Sequence, residues 1–281
     1  MKILILGHKG MLGADLRTRL SAGHEVVGKD IDEIDVTDAA ACRETIGEVG
    51  PDIVINTAAF TDVDGCESSR DRCFAVNALA VEHIVSACRP RNIPIVHFST
   101  DYVFDGSKGS PYVEEDVPGP LNVYGQSKLE GEKLLQSSSD NYLLIRSQWL
   151  YGAHGKNFVR TILEKGRSLD VVEVVDDQIG SPTYTADLAQ AVQRLVETGQ
   201  RGVFHVTNRG SCSWFEFTKK IFEFAGMSSV QVHPIKSSQL SRPARRPAYS
   251  VFSCRKFFAA TGKTLRFWQV ALSDYLSGTG Y

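Results

Sequence analysis

The chain has 281 residues, 42% hydrophobic and 23% charged, and its 31 Lys and Arg against 33 Asp and Glu leave a net charge of −2. That length supports about two domains, or one large one, with a substantial core. The balance of charge argues against a phosphate-tracking nucleic-acid binder, and no apolar run approaches the roughly 18 residues of a membrane span.

The first strand is expected at Lys2 to Leu6, a short apolar run with one basic residue that ends at glycine. It is too short for a signal peptide, so a cytoplasmic protein is expected. The six cysteines, at 42, 66, 73, 88, 212 and 254, have no CxxC spacing and no zinc-finger histidines. They read as reduced, buried small hydrophobes, and no metal site is assigned. Directly after the strand comes Gly7-His8-Lys9-Gly10-Met11-Leu12-Gly13, which opens a helix from Met11 to Leu20. One glycine turns the chain, a second lets the backbone approach a pyrophosphate, and the third, Gly13, allows close helix–strand packing. The unpaired N–H groups of the helix then meet the phosphates. The position of the loop, after a strand and before a helix, strengthens an otherwise weak spacing.

A second strand is expected at 24–28, with Asp30 just beyond it, about 20 residues after the loop, where a carboxylate binds adenosine ribose hydroxyls. That favours NAD, but His8, Lys9 and Lys29 are close enough in sequence to take a 2′-phosphate, so NADH and NADPH both stay open. Asp30 as a solvated turn residue is the competing reading. A helix at 39–49 and a strand at 52–56 follow. Asn56-Thr57-Ala58-Ala59 then offers a small-residue path along which a flat ring can lie. Next come a helix at 73–88, a strand at 93–99, a helix at 123–136 and a strand at 142–146. Short apolar strands separated by helices mean parallel neighbours joined by crossovers, hence a doubly wound α/β sheet of Rossmann type. Beyond 150 the pattern loosens, with strands at 169–175 and 203–206, a helix at 186–196 and a polar, basic surface loop at 237–247. Residues 1–150 are expected to bind a dinucleotide. Residues 151–281 form a smaller interleaved region, mainly substrate-binding, with elements returning to the first.

Tyr124 and Lys128 stand four residues apart, on one helical face, and Tyr124 alone of nine tyrosines has a lysine at that spacing. An ammonium about 4 Å from a phenol, at an effective dielectric near 20, contributes about 4 kcal/mol to the phenolate. That is about three pKa units, so Tyr124 is expected to titrate toward neutral pH and serve as a general acid. Ser99-Thr100-Asp101 closes the preceding strand at the end where open α/β sheets place ligands, and Thr100 can donate to a carbonyl oxygen. The segments SQWLYG (147–152) and RRP (245–247) resemble those of nucleotide-sugar reductases. That resemblance implies that Trp149, just past the strand 142–146, lays an apolar face against a deoxysugar, a core residue being the alternative, and that Arg245 and Arg246 grip a diphosphate bidentately, a solvated loop being the alternative.

The glycine spacing and the Tyr-x-x-x-Lys pair resemble the short-chain dehydrogenases/reductases, whose extended members use nucleotide sugars. Within that family, STDYVFDG (99–106), PLNVYGQSKLEGE (120–132), SQWLYG (147–152) and RRP (245–247) resemble the dTDP-4-dehydrorhamnose reductases, in order along essentially the whole chain. The resemblance implies reduction of the C4 ketone of dTDP-4-dehydro-L-rhamnose with NADH or NADPH. It assigns proton donation to Tyr124, tuning to Lys128 and carbonyl stabilisation to Thr100, with Asp101 and Trp149 on the substrate. Gly10, Met11, Leu12, Asp30, Asp35, Val36, Ala59, Phe60 and Thr61 match cofactor-lining positions, beside Gly7, Gly13 and Ala58 of the loops above. Some members use magnesium at a dimer contact of glutamates. Here Asp15 suits one such position but Ala186 occupies another, so no metal is expected and a homodimer is left open. A nucleotide-sugar epimerase or dehydratase, and a non-catalytic relative such as the methionine adenosyltransferase regulatory subunit, are the rival readings. The run Thr100-Asp101-Tyr102 supplies only one acid where a dehydratase wants two. A binding subunit needs no intact Thr100, Tyr124 and Lys128.

Overall fold

The computed structural model describes residues 1–280, so the last residue of the region 151–281, Tyr281, lies outside it. Its centre is a six-stranded parallel sheet formed by β1 (Lys2–Leu6), β2 (Glu25–Lys29), β3 (Ile53–Asn56), β4 (Ile95–Thr100), β5 (Tyr142–Ser147) and β6 (Gly202–His205). The spatial order is β6-β5-β4-β3-β1-β2. Strand order reverses at β1, which pairs with β2 on one side and β3 on the other. Ligands collect in the crevice at such a switch point, outside the carboxyl ends of the strands.

Alternate residues of each strand feed two cores. Ile3, Ile5, Ile53 and Ile55 pack under α1 (Met11–Leu20), whereas Leu4, Leu6 and Val54 pack under α2 (Ala39–Val49) and α3 (Ala80–Cys88). Burial on both faces explains why these strands read as unbroken apolar runs. The helix expected at 186–196 is Thr185–Glu197 and joins α1 on the first face. The helix expected at 123–136 is α4 (Val123–Ser138), capped by Asn122, whose side chain accepts from the Gly125 N–H.

Two expectations change in form. The helix expected at 73–88 is interrupted by a π-helical stretch, Ala75–Leu79, which puts Asn77 off the regular ladder. There its side chain accepts from Phe60 N–H at 2.8 Å and donates to Phe60 O at 3.0 Å and Ser127 Oγ at 3.0 Å. A π-bulge of this kind turns one residue into a clamp; here it ties the loop after β3 to α4. The strand expected at 169–175 is Val171–Val175, and it pairs in parallel with Gln231–Ile235 outside the main sheet. A third core lies beside that pair, built on Tyr151, Phe217, Trp268 and Tyr275. The segment 237–247 is irregular apart from a short turn at Ser237–Gln239, but Ala244 and Pro247 are buried.

All six cysteines are free thiols, five buried and Cys254 half-buried. Among the described residues no helix is long and apolar enough to cross a membrane.

The clamp makes α4 intolerant of bulk. A Cβ on Gly131 would stand 2.2 Å from Asn77 O, whereas one on Gly47 in α2 meets nothing within 4 Å. Gly131→Ala is expected to lose about 1–3 kcal/mol by overpacking. Gly47→Ala is expected to gain about 0.5–1 kcal/mol from helix propensity. Urea denaturation of both variants checks the contrast, and equal midpoints would overturn it.

Candidate active site

The glycine loop is shaped by what a side chain would collide with. Gly7 has φ +80°, and a Cβ there would sit 2.8 Å from Ala58 N. A Cβ on Gly13 would sit 2.2 Å from Gly7 O. α1 begins at Gly10 with no side-chain cap, so its first N–H groups stay available. The loop borders two adjoining cavities that share Gly10, Thr57 and Ala59. One, of about 300 Å³, is lined by Gly7, Asp30, Asp35, Val36, Ala58 and Phe60, among others. The other, of about 510 Å³, is lined by Met11, Leu12, Gly13, Thr61, Thr100, Asp101, Tyr124, Lys128 and Trp149, among others. A cradle of glycines at an uncapped helix start, between a ribose-sized corner and a polar cleft, fits a dinucleotide.

The adenosine end is acidic. Asp30 accepts from the Lys9 backbone N–H at 2.8 Å. The bases near it in sequence all have acidic partners: Lys9 Nζ binds Asp32, and Lys29 Nζ (3.4 Å) and His8 Nε2 (3.3 Å) both meet Glu33.

At the other end, Thr100 and Asp101 leave β4, and Tyr124 and Lys128 come from the first turns of α4. Thr100 Oγ1 donates to Asp101 Oδ1 at 3.0 Å, and Asp101 Oδ2 is buried with no partner. Burial pushes the Asp101 carboxyl up to about 6. Burial likewise pushes the Tyr124 phenol well above its ordinary value, helped by the neighbouring Asp101, while a hydrogen bond with Thr100 opposes. Lys128 is brought down to about 8 by burial, against the pull of Glu132. Its Nζ lies 3.4 Å from His97 Nε2, and His97 Nδ1 lies 3.2 Å from Asn56 Nδ2.

Desolvation thus moves the phenol upward, and Lys128 is not among the groups acting on it, in contrast to the lowering expected from the i, i+4 spacing. Among the described residues, the two cavities bring together every residue expected from the sequence to touch cofactor or sugar except Arg245 and Arg246. Arg246 binds both oxygens of Asp64 at 2.7 and 2.8 Å. The Arg245 side chain is exposed, and its carbonyl accepts from Asn122 Nδ2 at 2.6 Å. His97, Gln148 and Lys156 were not singled out in the sequence. Only the fold reveals them, because nothing local distinguishes a strand histidine or a loop lysine that ends up beside a cavity.

The buried Asp101 makes a stability prediction. Its carboxyl rises in the fold from 3.8 to about 6, so the neutral form is favoured. That stabilisation is complete below about pH 3.8 and is lost as pH rises through 6. Asp101→Asn, which keeps the acceptor for Thr100, is expected to gain about 2–3 kcal/mol on wild type between pH 4 and pH 8. Denaturant unfolding at the two pH values checks it; an unchanged gap would count against a buried carboxylate.

Comparison with known proteins agrees with this geometry. The family described as RmlD substrate binding domain matches residues 1–280. A dTDP-4-dehydrorhamnose reductase of Streptomyces griseus is 40% identical over 278 residues, 96% of this chain and 91% of that protein. The crystal structure of a dTDP-4-dehydrorhamnose reductase from Clostridium acetobutylicum superposes with a TM-score of 0.97 at 37% identity, covering all of both chains. One from Bacillus anthracis, in complex with NADP, gives 0.96 at 36% identity over 99% of each. A tyrosine and a buried lysine in one cavity, adjoining a second along a glycine loop at a helix start, thus sit in a chain that belongs to the RmlD family, the family of dTDP-4-dehydrorhamnose reductases.

Proposed function

We propose that the protein reduces the C4 ketone of dTDP-4-dehydro-L-rhamnose to dTDP-L-rhamnose. The observation that carries this reading is the meeting of Thr100, Tyr124 and Lys128 in a cavity continuous with the glycine cradle. NADH or NADPH, when bound, supplies the hydride. Tyr124 gives its proton to the ketone oxygen, and the burial that keeps the phenol protonated suits a reduction, which consumes an acid. Thr100 donates to the same oxygen and holds the developing negative charge. Lys128 anchors the nicotinamide ribose and restrains the phenol. Asp101 takes a sugar hydroxyl on its unpartnered oxygen, and Trp149 supplies the apolar face. In this reading residues 1–150 carry the cofactor together with Thr100, Asp101, Tyr124 and Trp149 of the sugar site, and the region from 151 completes that site with Gly155 and Lys156. The diphosphate falls to Arg245, since Asp64 already holds Arg246.

NADH is the favoured cofactor in this reading. Asp30 would repel a 2′-phosphate, and Lys9, Lys29 and His8, the bases near it in sequence, are paired with acids, which leaves Arg72, on the Phe60 ring, as the base in this cavity without an acidic partner among the described residues.

Three measurements test these assignments. Following absorbance loss of NADH with enzymatically generated dTDP-4-dehydro-L-rhamnose should give stoichiometric oxidation; an epimerase consumes none. Tyr124→Phe should cut turnover about 10²–10⁴-fold with little change in NADH binding. Near-normal turnover would refute its role as the acid. The kcat/KM for NADH should exceed that for NADPH by about tenfold, and Asp32→Ala, which frees Lys9, should narrow the gap. Preference for NADPH in the wild type would overturn the assignment.

A further inference from the structure

Trp149 is the only aromatic residue, among those described, with a positive φ, at +50°. A bulky side chain rarely adopts that conformation, and it persists only where surrounding contacts enforce it. The chain is pinned at Gln148 and at Trp149's own carbonyl. The Gln148 side chain donates to Ser250 O at 2.8 Å and accepts from Ser181 N–H at 3.0 Å, and Trp149 O accepts from Thr183 N–H at 3.1 Å. The ring is held as well. Trp214 stacks on it face to face, with centroids 3.5 Å apart and planes 7° from parallel. Gly180 lies against its edge, where a Cβ would come within 2.4 Å of Trp149 Cε2.

Trp214 is itself fixed. It opens the helix Trp214–Phe224, whose capping box pairs Ser213 Oγ with Glu216 N–H at 3.0 Å and Glu216 Oε2 with Ser213 N–H at 2.8 Å. The preceding residues, Cys212 and Ser213, form a two-residue ladder with Gly180 and Ile179, which brings Trp214 and Gly180 to the same indole. Phe158 packs against Trp214 with centroids 4.4 Å apart. Trp149 lines the cavity that holds Thr100, Asp101 and Tyr124, and Trp214 does not. With one face covered by Trp214, what Trp149 offers the cavity is its other face and its free edge.

We infer that Trp214 is a positioning residue for the sugar: stacked behind Trp149, it fixes that strained indole as the wall against which the nucleotide-sugar ring lies, without touching the ligand. The inference rests on the reading of this cavity as a nucleotide-sugar site, and it concerns binding rather than chemistry. Trp214 lines neither this cavity nor the one beside Asp30, so losing it should leave the chemical step alone.

The experiment compares wild type, Trp214→Leu and Trp214→Phe by steady-state kinetics, NADH titration and near-UV circular dichroism. Two indoles stacked at this distance give an exciton signal that Trp214→Leu and Trp214→Phe both remove. Trp214→Leu is expected to raise KM for dTDP-4-dehydro-L-rhamnose about tenfold, with kcat within about threefold and NADH affinity unchanged. Trp214→Phe, which restores an aromatic surface behind Trp149, should recover most of the loss in KM. An unchanged KM in Trp214→Leu overturns the inference. So does a joint fall in kcat and NADH affinity, which would mark a general structural role. Should Trp214→Leu fail to fold, the non-aromatic Trp214→Met decides by the same split, and a wild-type KM in Trp214→Met overturns the inference. If the wild type does not turn the sugar over, the reductase reading fails on its own. The inference is then judged by calorimetric titration of dTDP-L-rhamnose, and equal affinity in wild type and Trp214→Leu, none included, overturns it.

Discussion

Four ionisable side chains, the buried His97, Asp101 and Lys128 and the half-buried Tyr124, sit together at the carboxyl end of β4 and the start of α4, and the loss of water there acts on each. Every one moves toward its neutral form: the acids upward, the bases downward. Opposite charges close together ordinarily favour ionisation, but pairwise attraction is modest once the dielectric response of the whole site is counted, and desolvation is not. A cleft in which an acid is kept protonated and a lysine is poised near 8 is costly in folding free energy. It is also ready for a proton donor that need not first be recharged from solvent.

That arrangement depends on packing some distance from the chemistry. Tyr124 and Lys128 face the cleft only if α4 lies close against the loop after β3, and Asn77 holds the two together from a π-helical stretch that has no other evident purpose. The approach is close because Gly125 and Gly131 present bare backbone to Tyr102 O and Asn77 O. The same economy of bulk at Gly7 and Gly13 lets α1 meet β1 tightly enough for its amide groups to face the cleft. Small residues here are requirements of contact distance rather than of chain flexibility.

Much of this was legible in the sequence because it is periodic or local. Continuous apolar runs marked strands covered on both faces, and a glycine loop after the first of them marked the cradle. Tyr124 and Lys128 four residues apart marked the face of α4 that lines the cavity. What was not legible depends on partners brought from far along the chain. Lys128 meets His97 from 31 residues away, Arg246 meets Asp64 from 182, and Trp149 meets Trp214 from 65. The upward shift of the Tyr124 phenol has the same origin: spacing reports which charge is near, whereas burial is a property of the assembled fold.

The two arginines of 245–247 illustrate how far apart adjacent residues can stand in function. Arg246 is a tenth exposed and gives both arms to Asp64, on the helix that follows the loop after β3, while the Ala244 N–H donates to the same carboxylate at 3.1 Å. Asn122, the cap of α4, donates to Arg245 O from the other side. The proline-punctuated segment is thereby strapped across the start of the catalytic helix by its backbone and one guanidinium. Withdrawing Arg246 to meet a ligand phosphate would leave Asp64 without its partner, and breaking a sheltered pair costs more than forming it contributes. Arg245 carries no such obligation: its side chain points into solvent from an anchored backbone. An exposed cation on an anchored backbone is the member of the pair that could meet an anion without breaking an existing ion pair.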